Sequence, residues 1–143
     1  MKTNESECLF CKFAKHEIET AIIYENEYVI CFLDINPAGT LEGHTLVLTK
    51  NHYPNIEDCD EKSLNEAINA IKKLVPAIKK ISGAQAINIL NNNAKEAGQQ
   101  IPHTHFHIIP RKHGDGINFN ENRRKMKPME QLEISKAIKE AIK

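Results

Sequence analysis

The chain has 143 residues, with 19 basic and 19 acidic side chains and a formal net charge of zero. This length suits one domain with a substantial core, and the balanced charge provides no overall attraction for nucleic acid. The polar start, residues 1–7, lacks the apolar stretch of a signal peptide, and no later run approaches the roughly 18 apolar residues of a membrane helix. We therefore expect a cytoplasmic protein that forms a single domain over residues 1–143, without a membrane span or a nucleic-acid partner.

The four cysteines are Cys8, Cys11, Cys31 and Cys59. In the reducing compartment expected for this chain, a disulfide framework is disfavoured. Cys31 and Cys59 are expected to be ordinary residues, with Cys31 a small apolar side chain in a strand. Cys8 and Cys11 form a Cys-x-x-Cys pair, which by itself leaves a redox pair, half of a zinc site and coincidence all open.

The first third of the chain predicts a short helix and three strands. The helix covers residues 10–15, and two strands at 22–24 and 28–33 are joined by a tight polar turn. Asn36-Pro37-Ala38-Gly39 then breaks the chain. A third strand is predicted at residues 44–49.

A long helix is predicted next. Its cap is Asp58 or Asp60, Pro76 should kink it, and Gly83 should end it. Apolar residues spaced four, three, four and three apart form one stripe, which is typical of core packing. They are Leu64, Ile68, Ile71, Val75 and Ile78.

The last part of the chain predicts two strands and a terminal helix. A strand at 85–90 is followed by a polar loop at 91–100 and a strand at 105–109. The basic segment 123–127 is interpreted as a solvated linker, with a phosphate or partner contact as the alternative. A helix over 130–142 is expected to dock on the core or on a second subunit. Strands that pair antiparallel, with one long helix on a face, define an α+β fold.

The sequence His103-Thr104-His105-Phe106-His107 alternates as a β-strand does, so its three imidazoles should lie on one face, about 6.5–7 Å apart. Phe106 and Ile108 should face a core on the other side. Pro110 should end the ladder because it has no N–H to donate. The same geometry would suit a three-histidine metal site, so the pattern alone leaves metal binding and catalysis both open.

This segment resembles the signature of the histidine-triad (HIT) family of nucleotide hydrolases and transferases. The resemblance covers residues 8–111 as a motif core and leaves 112–143 as a C-terminal extension. It implies a single HIT domain with a five-stranded antiparallel sheet, one long helix packed on it, a short N-terminal helix and a C-terminal helix. The other matching motifs are Phe32-Leu33-Asp34-Ile35, Gly43-His44-Thr45-Leu46-Val47, Asn92 and Gly98-Gln99.

The resemblance also implies the roles of the site residues. His105 is the nucleophile, His107 hydrogen-bonds the phosphate or the leaving group, and His44 lies against the nucleophile. Transferases of the wider superfamily carry Gln at the third triad position, so His107 favours hydrolysis. The substrate contacts are one carboxylate for the ribose, two amides for the phosphate or leaving group and three side chains around the base: Asp34, Asn92, Gln99, Phe10, Phe32 and Ile35. For Phe32 and Ile35, simple core packing is the alternative.

One branch of the family binds structural zinc through a cysteine pair, a histidine after the third strand and the first triad histidine. This chain offers Cys8, Cys11, His52 and His103, a Cys₂His₂ set for a closed tetrahedral Zn²⁺ site. Such a site would join the N-terminal segment to the catalytic strand. Without zinc, His103 would have an orienting role.

The family resemblance implies a HINT-like hydrolase of nucleoside 5′-phosphoramidates or related nucleotidyl conjugates. It would act on purine nucleotides as a homodimer and release a nucleoside monophosphate through a nucleotidyl-histidine. The alternatives are a dinucleoside polyphosphate hydrolase, a nucleotide-binding or partner-docking protein with incidental activity, and a zinc protein without catalysis.

Three departures from the family pattern bear on the substrate. The loop between Asp34 and His44 has two extra residues, and Gln100 stands where Ser or Thr usually contacts the leaving group. Ala94 occupies a position that is often Gly, at little expected cost.

Overall fold

The computed structural model of the chain describes residues 5–119 and 123–142. Residues 1–4 of the polar start, and residues 120–122 and 143 of the C-terminal extension, lie outside that part. The helices and strands are α1 (Leu9–Ala14), β1 (Ile22–Glu25), β2 (Val29–Leu33), β3 (Thr45–Thr49), α2 (Glu61–Ser82), β4 (Ala86–Leu90), β5 (His105–Arg111) and α3 (Pro128–Ala141). Short 3₁₀ turns occur at Glu5–Glu7, Ile56–Asp58 and Lys95–Ala97.

The five strands form one antiparallel sheet in the order β1-β2-β3-β5-β4. β5 therefore lies inside the sheet, between β3 and β4. The predicted α+β fold, with a five-stranded antiparallel sheet, one long helix and shorter N- and C-terminal helices, is confirmed.

Local signals at both ends define the long helix α2. The Asp60 carboxylate accepts a hydrogen bond from the Ser63 N–H at 3.1 Å, so Asp60 rather than Asp58 is the cap. Gly83 ends the helix with φ +72°, a left-handed conformation that costs glycine least. The helix is continuous through Pro76.

The buried stripe of α2 differs from the predicted one. Ile68 is 53% exposed, whereas Ala67, Ala70 and Leu74 are buried against the sheet. The small alanines allow the helix to lie close to the strands. Of the predicted stripe, Ile71 and Ile78 are buried, and Leu64 and Val75 are partly buried against the same cluster. Counting large side chains alone therefore identified the helix but misplaced part of its buried face.

The two faces of the sheet have different partners. On one face, Phe106, Ile108 and Val47 pack with α2 in the larger apolar cluster, as predicted for the first two. On the other face, Phe10, Cys11 and Ala14 of α1 belong to a second apolar cluster. The ring of Phe10 lies 6.0 Å from that of His103 and 4.8 Å from that of His105, so these histidines occupy the α1 face.

Pro110 does not end β5, contrary to the prediction. It pairs with Ile87 of β4, whereas pairing with β3 stops at Ile108. The Asn91 side chain, just after β4, donates to the carbonyl of His105, so the backbone polar groups of His105 face β4. Because this direction alternates along a strand, the other odd-numbered residues of β5 also face β4, and the even-numbered ones face β3. The backbone nitrogen of Pro110 therefore points to the β3 side, where the pairing with β3 has already ended. Its missing N–H thus removes no hydrogen bond between strands.

Helix α3 lies apart from the core. None of its residues, 128–141, is buried, and Leu132 is 65% exposed. Docking of this helix on the core is therefore wrong, while docking on a second subunit stays a prediction. None of the helices within 5–119 and 123–142 is both long and apolar enough to cross a membrane.

Candidate active site and metal site

β5 presents His105 with one free ring nitrogen. Its Nδ1 lies 2.7 Å from the carbonyl oxygen of His103. A carbonyl can only accept, so Nδ1 must carry the proton, and Nε2 retains its lone pair. Burial lowers the pKa of His105, while the His103 carbonyl and Asp34 act in the opposite direction. The ring is thus neutral and nucleophilic at pH 7.

His107 is set in the complementary tautomer by two neighbours. The Ala38 N–H donates to His44 Nδ1 at 2.8 Å, so His44 must carry its proton on Nε2. That N–H donates to His107 Nδ1 at 2.9 Å, which leaves the His107 proton on Nε2. The resemblance predicted that His44 lies against His105, but in the structure the hydrogen bond of His44 is to His107. Burial lowers the pKa of His44 and brings that of His107 to about 4.

A cavity of about 530 Å³ opens over these rings. Asp34 at its wall accepts the Asn36 N–H through Oδ1 at 2.8 Å, while Oδ2 lies 3.6 Å from His44 Nε2 and is not hydrogen-bonded to it. Ile35 is 87% exposed at the rim. The predicted catalytic and substrate-contact residues that line the cavity are His44, His105, His107, Asp34, Asn92, Phe10, Phe32 and Ile35.

Gln99 does not join this group. Its side chain is 8% exposed, with Oε1 accepting the Ala94 N–H at 2.9 Å and Nε2 donating to the Pro54 carbonyl at 2.7 Å. It lines a separate depression of about 1160 Å³ beside His52. Gln99 therefore joins two loops, whereas the next residue, Gln100, borders both this depression and the triad cavity.

Ala94 is strained where it meets Gln99. Its φ of +72° and ψ of +162° belong to a region essentially restricted to glycine, with a typical cost of about 1–3 kcal/mol. The expectation of little cost is therefore wrong. Hydrogen bonds from its N–H to Gln99 Oε1 and Asn55 Oδ1 hold this conformation.

We expect Ala94→Gly to raise the free energy of unfolding by about 1 kcal/mol, because relief of strain exceeds the extra freedom of glycine in the unfolded chain. Urea denaturation at equilibrium measures this. Ala97→Gly, in the neighbouring 3₁₀ turn Lys95–Ala97, is the matched control and should lower stability. Equal destabilisation by both changes would contradict the assignment of strain to Ala94.

Several cavity residues were not predicted. The Ala38 N–H, which sets the tautomers of two histidines, is a backbone group and has no sequence signal. Ile109 follows His107 at the spacing that repeats a strand face, so alternation could have placed it here. Ile117 and Phe119 come from the segment after β5, which carried no motif.

The four predicted metal ligands meet on the α1 side of the sheet. Their ligand atoms all lie within 4.8 Å of one another, and three of the four residues are buried. His103 donates from Nε2 to the Thr49 carbonyl at 2.6 Å, so its Nδ1 lone pair is directed at the cysteines. Burial raises the pKa of the Cys11 thiol to about 12, with Cys8 contributing.

Four of the six distances between the ligand atoms are close to the edges of a tetrahedral site. Zn–N and Zn–S bonds of about 2.05 and 2.3 Å require edges of about 3.3 Å between two nitrogens and about 3.6 Å between nitrogen and sulfur. The two histidine Nδ1 atoms are 3.3 Å apart, and Cys11 Sγ lies 3.2 Å from His52 Nδ1 and 3.4 Å from His103 Nδ1. Cys8 Sγ lies 3.5 Å from His103 Nδ1. The set can therefore hold a metal that replaces the thiol protons.

Residues 15–114 match the model of the HIT domain, and the chain belongs to this family. It is similar to an uncharacterised HIT-like protein of Methanocaldococcus jannaschii, with 43% identity over 92% of this chain and 98% of the relative. It is also 37% identical to the Arabidopsis thaliana protein named adenylylsulfatase HINT3, over 86% of this chain and 61% of the relative. A Saccharomyces cerevisiae protein named adenosine 5′-monophosphoramidase HNT1 is 38% identical, over 77% of this chain and 66% of the relative.

Solved structures agree with this assignment. A HIT family member from Bacillus subtilis superposes with a TM-score of 0.86 and 34% identity, over 96% of this chain and 98% of that chain. A zinc-bound histidine triad family protein from Mycobacterium smegmatis superposes with a TM-score of 0.72 and 29% identity, over 85% of this chain and 86% of that chain. The relatives with named activities are nucleotide hydrolases of the HIT and HINT type.

Proposed function

We propose that the protein hydrolyses nucleoside 5′-phosphoramidates or related nucleotidyl conjugates, with purine nucleotides as substrates. The observation that carries this is the pair of opposite tautomers at the centre of the cavity. His105 offers an unprotonated Nε2, and His107 offers an N–H on its Nε2. A nucleophile beside a proton donor is what displacement of an amine from phosphorus requires.

The first step forms a bond between His105 Nε2 and the α-phosphorus and breaks the bond from phosphorus to the leaving nitrogen. That nitrogen takes a proton from His107 Nε2, for which His107 must first take up a solvent proton on Nδ1 and become imidazolium. The hydrogen bond that His44 Nε2 donates to His107 Nδ1 is broken in this state. The pKa of His107 is about 4 without substrate, and the arriving phosphate charge raises it because an adjacent anion favours the cation. The products are a free amine, a neutral His107 and a nucleotidyl-His105.

The second step returns the enzyme to its starting state. Water attacks phosphorus, its proton passes to His107 Nε2, and the bond between phosphorus and His105 Nε2 breaks. His107 then loses its Nδ1 proton to solvent, which restores the hydrogen bond from His44. The nucleoside monophosphate leaves with the new oxygen. The hydrogen bond from His105 Nδ1 to the His103 carbonyl persists through both steps and supports the positive charge on the ring of the intermediate.

Other cavity residues are proposed to bind the nucleotide. Asp34 accepts from the ribose hydroxyls through Oδ2, because Oδ1 already accepts the Asn36 N–H. Asn92 and Gln100 supply amides at the phosphate. Phe10, together with Phe32 and Ile35, encloses the base.

The remaining assignments are part of the same proposal. A structural Zn²⁺ would be held by the Cys₂His₂ set, whose four ligands leave no open position for substrate. We propose a cytoplasmic homodimer of single-domain chains, in which α3 of one chain covers its apolar side chains on the other. Light scattering on the purified protein tests this, and a monomer mass at micromolar concentration would contradict it.

The function is tested with two substrates and product identification. Purified protein should release AMP from adenosine 5′-phosphoramidate and should act more slowly on diadenosine polyphosphates. The reverse order would favour the dinucleoside polyphosphate hydrolase, and absence of turnover with both would favour a nucleotide-binding protein. Isothermal titration with AMP distinguishes the last outcome from an unfolded preparation.

A further inference from the structure

The Ala38 N–H that bonds to His44 belongs to a short stretch of backbone, Asn36-Pro37-Ala38-Gly39, which we refer to as the 36–39 segment. At its start, the Asn36 N–H donates to Asp34 Oδ1 at 2.8 Å. The ring of Pro37 then fixes the φ angle of that residue. The segment delivers the Ala38 N–H to His44 Nδ1 at 2.8 Å, so the first half of the segment is well anchored.

The end of the 36–39 segment is held by packing rather than by its own backbone. Gly39 has φ +75°, and glycine adopts positive and negative φ about equally well. The torsional preference of Gly39 therefore leaves the preceding peptide free to turn. What lies against it is Ile117, since a Cβ on Gly39 would come within 2.8 Å of Ile117 Cδ1 and 3.5 Å of Ile117 Cγ1. Asp115 Cβ is the next atom, at 3.8 Å.

The backbone of Ile117 is itself fixed on both sides. Its N–H donates to Asp115 Oδ1 at 3.1 Å, and its carbonyl accepts from Arg111 Nη2 at 2.9 Å. Arg111 also donates to both carboxylate oxygens of Asp115, at 2.6 and 3.1 Å, and to Asn88 Oδ1 of β4 at 2.6 Å. A bidentate pair of this kind fixes direction as well as distance. The side chain of Ile117 thus meets Gly39 from a backbone that is tied to the sheet.

A chain of contacts therefore runs from Ile117 to the two histidines that accompany the proposed nucleophile. Ile117 holds Gly39, the adjoining Ala38 N–H donates to His44 Nδ1, and His44 Nε2 donates to His107 Nδ1 at 2.9 Å. If the 36–39 segment moved away, His44 Nδ1 would lose this donor and the His44 ring could turn. The resting arrangement, in which His107 carries its proton on Nε2, would then no longer be held in place.

We propose that Ile117 is a positioning residue of the candidate active site. Its packing on Gly39 keeps the Ala38 N–H on His44, and this in turn keeps His44 and His107 in the arrangement that receives the substrate. The consequence for turnover rests on the hydrolysis proposed above, whereas the effect on Ala38 and His44 does not.

The first test removes the contact on Gly39 in two steps. Ile117→Val deletes Cδ1, and in NMR spectra the Ala38 amide should exchange with solvent about 4-fold faster, the factor that one buried methyl group is worth. Ile117→Ala should exchange faster still. It should also move the ¹⁵N resonance of His44 Nδ1 toward that of an imidazole nitrogen that accepts no hydrogen bond. For adenosine 5′-phosphoramidate, the kcat/KM of Ile117→Ala should fall about 5-fold, because turnover follows the fraction of molecules in the competent arrangement.

The second test asks whether Gly39 is the point of contact. In Gly39→Ala the added methyl group would come within 2.8 Å of Ile117 Cδ1, so the Ala38 amide should again exchange faster. Adding Ile117→Val to this variant deletes the clashing atom and leaves the carbon at the Cγ1 position 3.5 Å away, an ordinary contact. The same Ile117→Val change should therefore slow the exchange in the Gly39→Ala protein, although it speeds the exchange in the wild-type protein.

Ile71→Val is the matched control, because it deletes the same atom from a buried residue between α2 and the sheet, outside the triad cavity. It should lower overall stability but leave Ala38 exchange and kcat/KM within about 2-fold of wild type. Unchanged exchange in Ile117→Ala, unchanged kcat/KM beside faster exchange, or no reversal of sign in the Gly39→Ala protein would overturn the inference. If the exchange and the His44 resonance respond as expected but wild-type protein does not turn over the phosphoramidate, the contact is real and the proposed function is wrong.

Discussion

Replacement of His105 by alanine is expected to lower kcat for adenosine 5′-phosphoramidate by about 10,000-fold or more. The reason is that no other ring in the cavity has the same free lone pair. The hydrogen bond between His44 and His107 occupies one nitrogen of each ring. The other nitrogen of His44 accepts the Ala38 N–H, and the other nitrogen of His107 carries its proton. Loss of a covalent nucleophile commonly costs factors of this size. A stopped assay that quantifies AMP measures the change.

Two further measurements make the His105 result specific. Acid-quenched wild-type protein should carry one nucleotidyl group on the peptide that contains His105, and His105→Ala should carry none. His16→Ala is the matched control, because His16 is an exposed histidine paired with Glu25 away from the cavity. If His105→Ala kept more than a tenth of the wild-type rate while its circular dichroism was unchanged, the covalent route would be wrong.

Loss of the proposed zinc site is expected to have the largest effect on stability. Cys11→Ala should reduce bound zinc from one ion per chain to near zero and lower the free energy of unfolding by about 4 kcal/mol or more. Cys11 is buried with its Sγ within 3.4 Å of the Nδ1 atoms of His52 and His103, so its removal would take away one of the four proposed zinc ligands. Atomic absorption gives the metal content, and urea denaturation with and without a chelator gives the stability.

Cys59→Ala is the control for that experiment. Cys59 is partly buried and lies outside the cluster of four ligands. It should keep full zinc content and change stability by less than about 1 kcal/mol. Retention of stoichiometric zinc by the Cys8→Ala, Cys11→Ala double variant would show that the metal lies elsewhere or is not held by this set.

Features with strict periodicity were predictable from the sequence. A side-chain period of two in β5 placed Phe106 and Ile108 on the α2 face. The four predicted metal-ligand positions came from the family motif and converge in space, although 95 residues of chain separate Cys8 from His103. Local periodicity cannot by itself predict such long-range proximity.

Features that depend on three-dimensional packing were not predictable. The buried face of α2 includes Ala67 and Ala70 beside large residues such as Ile71, so a stripe of large residues alone misplaced part of it. Gln99 donates a hydrogen bond to the carbonyl of Pro54, 45 residues earlier in the chain, and no local sequence pattern predicts that contact. The tautomer of His44 depends on a single backbone N–H at Ala38. In each case the deciding partner is distant in sequence or is a backbone atom.

His103 serves two neighbours through different atoms. Its side chain faces the cysteines, and its carbonyl oxygen accepts the Nδ1 proton of His105, the proposed nucleophile. A mutational scan scored by turnover alone would therefore group Cys8 and Cys11 with the reacting residues, although neither lies on the cavity wall. A parallel scan scored by protein abundance would separate them, since only the cysteine variants would be depleted from the cell.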